Sequence, residues 1–156
     1  VLSESFASDV ALDRIRILAT DLSSAMVQRV GEGRYSHFEV NRGLSSELRD
    51  KYFVQDGRDW VARDELRHMI DAAEVNLLEP WSAVPRCDLV MLRNVLIYFS
   101  VETRREILRR IRTDVLRPGG YMMLGSSENL LGIDDIFKRI STGGGSCYRV
   151  PVDSPA

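Results

Sequence analysis

The sequence Cys87-Asp-Leu-Val-Met-Leu-Arg93-Asn94-Val-Leu-Ile-Tyr98-Phe99 decides the fold of this chain. Its apolar run from Asp88 to Leu92 predicts a strand of a parallel sheet, because helices cover both faces of such sheets and leave their strands almost continuously apolar. Ligands of these sheets bind just beyond the carboxyl ends of the strands. The guanidinium of Arg93, the amide of Asn94 and the phenol of Tyr98 therefore follow the strand where a binding site is expected.

Composition and charge indicate a globular protein and argue against several classes of function. The chain has 156 residues, of which 44% are hydrophobic and 28% charged, enough for one domain with a core. The net charge of −2 argues against general nucleic-acid binding. The two cysteines, Cys87 and Cys147, form no CxxC motif and have no histidine nearby. This predicts no metal site and a reduced, cytoplasmic protein. No apolar run reaches the ~20 residues of a membrane span, and Val1–Leu12 does not resemble a signal peptide.

The residues before the quoted strand follow the helix–strand–helix order of an α/β fold. Apolar residues on one helical face predict a helix over Val1–Leu12, and Ile15–Ala19 is predicted to be a strand. Ser23 is expected to cap a second helix, which Gly31 and Gly33 end.

Residues 45–74 interrupt this order, and we interpret them as a small inserted antiparallel β-subdomain. A helix is predicted over Ser45–Tyr52, and Asp56-Gly57 predicts a turn. The β-prone pieces of the subdomain are Tyr52–Gln55, Trp60–Arg63 and His68–Ala72. Residues Asp64–His68 could equally form one helical turn.

The α/β pattern resumes at Val75–Leu78 and continues through the quoted strand into a helix. Ser100 is a candidate N-cap of that helix, and Glu102 in its first turn complements the helix dipole. Pro118-Gly119-Gly120 is expected to end it. Its predicted buried stripe consists of Ile107, Leu108, Ile111, Val115 and Leu116.

The last part of the domain is predicted to be β-structure. Tyr121–Gly125 is the next strand, and Ser126–Asn129 forms its exit loop. Phe137–Ser141 and Cys147–Val150 are predicted to close the domain, 1–150, as a hairpin. A disordered tail is predicted for 151–156.

Six short motifs, in order, resemble the chemotaxis receptor methyltransferases of the CheR family. The motifs are Ala-Thr-Asp at 19–21, Gly-x-Tyr at 33–35, Asn-Leu-Leu at 76–78, Arg-Asn-Val-Leu-Ile-Tyr-Phe at 93–99, Arg-Pro-Gly-Gly-Tyr at 117–121 and Leu-Gly-Ser-Ser-Glu at 124–128. The resemblance implies a Rossmann-like class I methyltransferase sheet with S-adenosylmethionine as cofactor. It also implies methyl transfer to glutamate side chains in the cytoplasmic helical domain of chemoreceptors, with the inserted subdomain contributing to receptor recognition.

The resemblance assigns five residues to cofactor binding. They are Asp21, Asn76, Leu77, Leu92 and Arg93. Asp21 would accept hydrogen bonds from the ribose hydroxyls, although an acid there could instead only stabilise a helix dipole. Asn76 and Leu77 correspond to the adenine-binding pair, although this could be an ordinary strand end. Leu92 and Arg93 would lie near the amino-acid part of the cofactor.

The resemblance implies catalytic roles for Tyr98 and Arg93. Arg93 would attract the substrate carboxylate, although arginines more commonly form surface ion pairs, and Tyr98 could be a half-buried aromatic at a helix entry. Asn94 could be purely architectural. Ser127 and Glu128 could line a pocket mouth or only cap a loop.

The implied reaction needs little acid–base chemistry from the protein. A glutamate side chain with a pKa of ~4.3 is already ionised at neutral pH, so no general base is required. Catalysis then depends on alignment of the reacting atoms and desolvation of the carboxylate. The sequence accordingly contains no Ser/His/Asp or Cys/His constellation.

The chain also departs from the family pattern. A Gly-rich cofactor loop resembling Gly-x-x-x-Gly-Glu-Glu does not occur in 1–156, and neither does the family's N-terminal helical domain. We therefore expect a partial sheet that lacks its first strand, with weak or no activity of this fragment alone. The two strand edges that this leaves open would favour self-association. The alternative is a non-catalytic methyltransferase-like module that docks to a receptor or signalling partner.

Overall fold

A computed structural model describes residues 14–82, 84–142 and 145–152 of the chain. The predicted helix over Val1–Leu12 and most of the predicted tail lie outside the described residues. The chain divides into two compact units, Val1–Asn76 and Leu77–Ala156, and each is described by itself.

The first unit contains a two-stranded parallel sheet. Strand β1 (Ile17–Asp21) pairs with β5 (Ile70–Glu74) along its whole length. Helix α1 (Ser24–Glu32) follows β1 with Ser23 at the N-cap position, although the Ser23 side chain makes no capping hydrogen bond. The helix ends at Gly33, whose φ of 62° is left-handed, so the predicted stop at Gly33 is confirmed, whereas Gly31 lies inside the helix.

A three-stranded antiparallel sheet occupies the sequence between β1 and β5. Its strands are β2 (Arg34–Ser36), β3 (Phe53–Asp56) and β4 (Asp59–Ala62), in the order β2-β4-β3. The predicted turn at Asp56-Gly57 is confirmed, because Gly57 has a φ of 63° and joins the paired strands β3 and β4.

Three short helices accompany this sheet. Helices α2 (His37–Gly43) and α3 (Ser46–Tyr52) connect β2 to β3, and α4 (Asp64–Arg67) follows β4. Helix α3 confirms the helix predicted over Ser45–Tyr52, and the Ser45 side chain accepts a hydrogen bond from the Leu48 N–H at 3.3 Å. Helix α4 decides the question left open for Asp64–His68 in favour of a helical turn.

Strand β5 differs from the prediction. The sequence pattern placed a β-piece over His68–Ala72 in the antiparallel subdomain and resumed the α/β frame at Val75–Leu78. The structure has one strand over Ile70–Glu74, parallel to β1, and no strand over Val75–Leu78. The antiparallel sheet also begins at Arg34, before the predicted boundary at 45. The local sequence does not reveal this pairing, because the partner strand lies far away in the chain.

The second unit contains a four-stranded mixed sheet in the order β6-β7-β9-β8. Strand β6 (Cys87–Leu92) is parallel to β7 (Leu116–Leu124). Strands β8 (Lys138–Thr142) and β9 (Gly145–Arg149) form an antiparallel hairpin. The strand predicted over Asp88–Leu92 and the closing hairpin are therefore confirmed. The predicted burial of this strand on both faces is wrong within the second unit, because Leu89 is 44% and Met91 61% exposed.

Helix α5 (Val101–Arg110) connects β6 to β7, and a π-helical turn over Ile111–Val115 extends it. The predicted cap is confirmed, because the Ser100 hydroxyl accepts a hydrogen bond from the Thr103 N–H at 3.3 Å. All residues of the predicted stripe are buried and, except Val115, belong to the core of this unit. The core consists of Leu92, Leu96, Ile107, Leu108, Ile111, Leu116, Met122, Leu124, Leu130, Phe137, Tyr148 and Val150.

The segment Arg117–Gly120 lies in strand β7, whereas the sequence predicted that Pro118-Gly119-Gly120 ends the helix. Cys87 pairs with Leu116 but Leu89 pairs with Tyr121, so this segment is an irregular excursion of β7. A Cβ at Gly120 would lie 2.8 Å from the Arg117 carbonyl oxygen and 3.2 Å from that of Asp88. Glycine is therefore required where β7 passes close to β6.

Strands β1 and β6 are each at the edge of a sheet. Within the described residues, β1 pairs only with β5 and β6 pairs only with β7. No helix in this part of the chain has the length and apolar character that a membrane crossing requires.

Candidate functional site

Asp21 ends strand β1 and has an exposed side chain. Its Oδ1 accepts a hydrogen bond from the Ser23 N–H at 2.8 Å, which orients the carboxylate at the start of α1. Its backbone carbonyl accepts a hydrogen bond from the Val75 N–H at 3.0 Å. The exit of β1 is thus held against the exit of β5.

Asn76 follows β5 by two residues and is half-buried. Because β1 and β5 are parallel and Asp21 pairs with Glu74, the chain leaves both strands at the same end of this sheet. A carboxylate accepts hydrogen bonds from hydroxyls, and an amide both donates to and accepts from a purine edge. This strand end therefore combines the two kinds of group that a nucleoside needs.

The predicted residues of the second unit differ in their exposure. Leu92 is only 8% exposed and belongs to the core, so its side chain packs inside the unit. Leu77 is half-buried and packs against the same core. Arg93 is exposed, and no salt bridge between described residues includes it. Tyr98 ends a 3-10 turn and is 80% exposed, which is far more than expected for a half-buried helix-entry aromatic.

Glu128 holds the loop that follows β6. Its Oε2 accepts hydrogen bonds from the N–H groups of Asn94 at 2.6 Å and Gly125 at 2.9 Å. Its Oε1 accepts hydrogen bonds from the N–H groups of Val95 at 3.0 Å and Leu96 at 2.9 Å. The side chain is buried, with 5% of the residue exposed. One carboxylate therefore joins the exit of β6 to the exit of β7.

The charge of Glu128 is stabilised by these backbone groups. Burial by itself raises the pKa of Glu128, but the hydrogen bonds from the N–H groups of Asn94, Gly125, Val95 and Leu96 outweigh it and hold the pKa below its ordinary value. The side chain is consequently ionised at neutral pH.

Gly125 has no space for a side chain beside this carboxylate. A Cβ there would lie 2.8 Å from Oε2 of Glu128 and 2.9 Å from Oδ1 of Asn94. Asn94 itself has a φ of 58°, a left-handed conformation that asparagine adopts more readily than most residues. The Gly-Ser-Ser-Glu sequence at 125–128 thus supplies both the space and the anion that the loop requires.

This role of Glu128 does not follow from the sequence alone, which leaves open whether Ser127 and Glu128 line a pocket or cap a loop. The structure places Ser127 at the surface and Glu128 inside. The sequence does contain a signal for this role, because Glu128 comes shortly after a predicted strand, next to two serines. A carboxylate that is buried at such a position must accept hydrogen bonds. The Asn94 N–H is one of the donors to Glu128, so the backbone of Asn94 has a structural role in the loop.

The described residues contain no group of three or more His, Cys, Asp or Glu side chains that could hold a metal ion. Groups that can bind an organic ligand lie at strand ends in each unit. The first unit has a carboxylate and an amide there, and the second unit has an exposed guanidinium and phenol after β6.

Comparisons with known proteins identify the family of this chain. A family model described as the CheR methyltransferase, SAM binding domain, matches residues 1–144. Chemotaxis protein methyltransferase 1 of Pseudomonas aeruginosa is 38% identical over 136 residues, which are 86% of this chain and 49% of that protein. Chemotaxis protein methyltransferase 1 of Vibrio cholerae is 36% identical over 141 residues, or 89% and 50% of the two chains. The chemotaxis protein methyltransferase of Escherichia coli K12 is 32% identical over 146 residues, or 90% and 49%.

The chain spans about half the length of these curated relatives. A solved structure described as a pericyclic reaction enzyme covers 95% of this chain and 38% of its own, but at 11% identity and a TM-score of 0.43 it supports no argument. The family match extends over most of the sequence, from the first residue to the closing hairpin. This chain belongs to the CheR methyltransferase family, and the matched part is its S-adenosylmethionine-binding domain.

Proposed function

We propose that this chain is the C-terminal part of an enzyme that methylates glutamate side chains in the cytoplasmic helical domain of chemoreceptors. The methyl donor is S-adenosylmethionine, in agreement with the matched family. The observation that carries the proposal is the fixed loop after β6, which presents Arg93 and Tyr98 to solvent beyond the carboxyl end of a strand of the parallel β6–β7 pair. The relatives named chemotaxis protein methyltransferases support it.

The residues at the exits of β1 and β5 fit the nucleoside part of the cofactor. Asp21 has an exposed carboxylate whose direction the Ser23 N–H fixes, and we assign it to the ribose hydroxyls. The half-buried Asn76 would recognise the purine edge. When bound, the cofactor supplies an activated methyl group together with its own leaving group.

Arg93 and Tyr98 serve the substrate side in this proposal. The guanidinium attracts a carboxylate, and the phenol can donate a hydrogen bond to it. No residue has to remove a proton, because a glutamate side chain with an ordinary pKa of ~4.3 is already an anion at neutral pH. The chain therefore contributes alignment and desolvation of the carboxylate.

A docking module without catalytic activity is the alternative, and the comparisons do not favour it. The relatives are named as methyltransferases, and the residues matched by the family model include the segments that carry Asp21, Asn76 and Arg93.

The test is transfer of a radiolabelled methyl group from S-adenosylmethionine to the cytoplasmic domain of a chemoreceptor. It should be run with this chain and with a polypeptide that includes the sequence upstream of Val1. Glutamyl methyl esters release methanol in alkali, so we expect the incorporated label to be volatile after base treatment. Label that is stable in base would contradict the proposal, because it would indicate methylation of nitrogen or sulfur.

A pair of arginine variants tests the role of Arg93. Arg93→Ala should lower the transfer rate at least about tenfold, since it removes a charge-assisted contact to the substrate carboxylate. Arg117→Ala removes the same charge from an exposed arginine that pairs with Asp88 at 3.0 Å, and it should leave the rate nearly unchanged. Equal effects of the two substitutions would exclude a specific role for Arg93.

A further inference from the structure

We infer that Glu128 is a positioning residue, whose carboxylate fixes the backbone of the loop that presents Arg93 and Tyr98. The inference deepens the proposed function and rests on it for the importance of that loop. Glu128 accepts its hydrogen bonds from residues other than Arg93 and Tyr98, and all of these residues belong to the second unit.

The loop is held from one side by the Glu128 carboxylate. Three consecutive N–H groups, from Asn94, Val95 and Leu96, converge on its two oxygens at 2.6 to 3.0 Å. The fourth donor is the N–H of Gly125 at the end of β7. Because β7 is a central strand of the sheet, the loop is anchored to a rigid element.

The loop is held from the other side by Arg104 of helix α5. Its Nε donates a hydrogen bond to the Phe99 carbonyl at 2.8 Å, and its Nη2 donates to the Ile97 carbonyl at 3.4 Å. The Tyr98 N–H donates to the Val95 carbonyl at 3.2 Å. The backbone of the loop is thus bonded to an anion through its donors and to a cation through its acceptors.

Convergent backbone N–H groups of this kind form an anion-binding nest. In this chain the nest is filled by the protein's own carboxylate, so the amides of 94–96 are not available to an anionic ligand. These three amides therefore cannot bind a ligand anion, and the exposed side chains of Arg93 and Tyr98 are groups of the loop that can. Filling the nest also holds Asn94 in its left-handed conformation, with a φ of 58°.

The first experiment needs no substitution. The backbone amides of Asn94, Val95, Leu96 and Gly125 are followed by NMR in the wild-type chain as the pH is lowered. We expect the four amide shifts to move together in one step with a common midpoint, since they share one acceptor group. Amides that do not titrate, or that titrate with different midpoints, would overturn the inference.

The second experiment measures amide hydrogen exchange in Glu128→Gln, which keeps the size of the side chain but turns one acceptor into a donor. Exchange at Asn94, Val95 and Leu96 should increase about 10- to 100-fold, because charge-assisted hydrogen bonds are lost. Exchange at Leu108 in helix α5 should change less than about twofold if the unit stays folded. Unchanged exchange at 94–96 would overturn the inference.

Two further variants separate positioning from general destabilisation. Tyr148→Phe removes the acceptor of the Leu130 N–H, at 3.2 Å, from the same exit loop without touching 94–96. It should increase exchange at Leu130 only, and a matching increase at 94–96 would overturn the inference. Glu128→Asp keeps the charge and should restore part of the protection. Because these measurements use neither cofactor nor receptor, failure of methyl transfer would count against the proposed function and not against this inference.

Discussion

Two acidic side chains lie at the exits of parallel strands in this chain, and they are used in opposite ways. Asp21 at the end of β1 is exposed and accepts a single local hydrogen bond, from the Ser23 N–H. Glu128 after β7 is buried and accepts hydrogen bonds from four backbone N–H groups. The Asp21 carboxylate is therefore exposed to solvent, whereas the Glu128 carboxylate is hydrogen-bonded to the protein backbone.

The difference shows that an acid at a strand end is not by itself a ligand-binding residue. What distinguishes the two is the number of backbone donors that reach the carboxylate and whether water reaches it as well. We therefore expect substitutions of Glu128 to change folding and the loop after β6, and substitutions of Asp21 to change ligand affinity with little effect on folding.

The largest effect should come from Glu128→Gln on stability. We expect a loss of about 2–4 kcal/mol in the free energy of unfolding, because buried N–H groups lose a charged acceptor. Denaturant titration followed by circular dichroism measures it. The matched change Asp21→Asn should cost less than about 0.5 kcal/mol. Similar losses in both variants would break the comparison.

Gly125→Ala should have the next largest effect. The new methyl group would meet Oε2 of Glu128 at 2.8 Å, and we expect a loss of about 1–3 kcal/mol from overpacking. Gly31→Ala in helix α1 is the matched control, because no atom lies within 4 Å of its Cβ position. It should stabilise by up to about 1 kcal/mol. Thermal unfolding of both variants tests whether crowding at Glu128 makes the Gly125→Ala substitution destabilising.

Asp21→Ala should weaken binding of S-adenosylhomocysteine about 10- to 100-fold, as expected when ligand hydroxyls lose a charged acceptor. Calorimetry on a polypeptide that includes the sequence upstream of Val1 measures it. Glu47→Ala, which removes an exposed acid from the first turn of α3, serves as the control and should leave the affinity unchanged. An unchanged dissociation constant in Asp21→Ala would exclude this residue from the site.

The pH dependence of stability should reveal the smallest effect. The pKa of folded Glu128 lies below its ordinary value of 4.5, so the unfolded chain binds the proton first as the pH falls. The ionised Glu128 therefore makes its full contribution to the free energy of unfolding above pH 4.5. That contribution is lost as the pH falls through the folded pKa, by no more than about 1.4 kcal/mol per pH unit. The difference in unfolding free energy between wild type and Glu128→Gln isolates it. A difference that grows on acidification would contradict the assigned sign.

Much of the second unit was predictable from local sequence. The apolar run to Leu92, the cap at Ser100 and the helical spacing of Ile107, Leu108 and Ile111 each depend on neighbouring residues, and the structure agrees with all of them. The position of Arg93 and Tyr98 just beyond β6 follows from the end of that strand. Their functional roles came from the family resemblance and stay predictions.

Other features depend on contacts between distant residues and were not predictable in this way. Strand β5 has the sequence Ile-Asp-Ala-Ala-Glu, which has little β-propensity, and it is a strand because β1 pairs with it. The role of Glu128 depends on three N–H groups that lie more than thirty residues earlier in the chain. Helix α2 was missed because its seven residues, His37–Gly43, have too short an apolar pattern, although Ser36 and Glu39 form a capping box.

The pairing of β1 with β5 has a consequence for the order of folding. Ile17 pairs with Ile70, so joining these strands closes a chain loop that contains the whole β2-β4-β3 sheet. Closing a long flexible loop costs entropy, and a folded insert shortens the flexible part of that loop. We therefore expect the hairpin of β3 and β4 to form first and β1 to join last. Pulse-labelled hydrogen exchange should show protection at Val54 and Val61 before Leu18. The reverse order would mean that β1 and β5 pair before the β2-β4-β3 sheet forms.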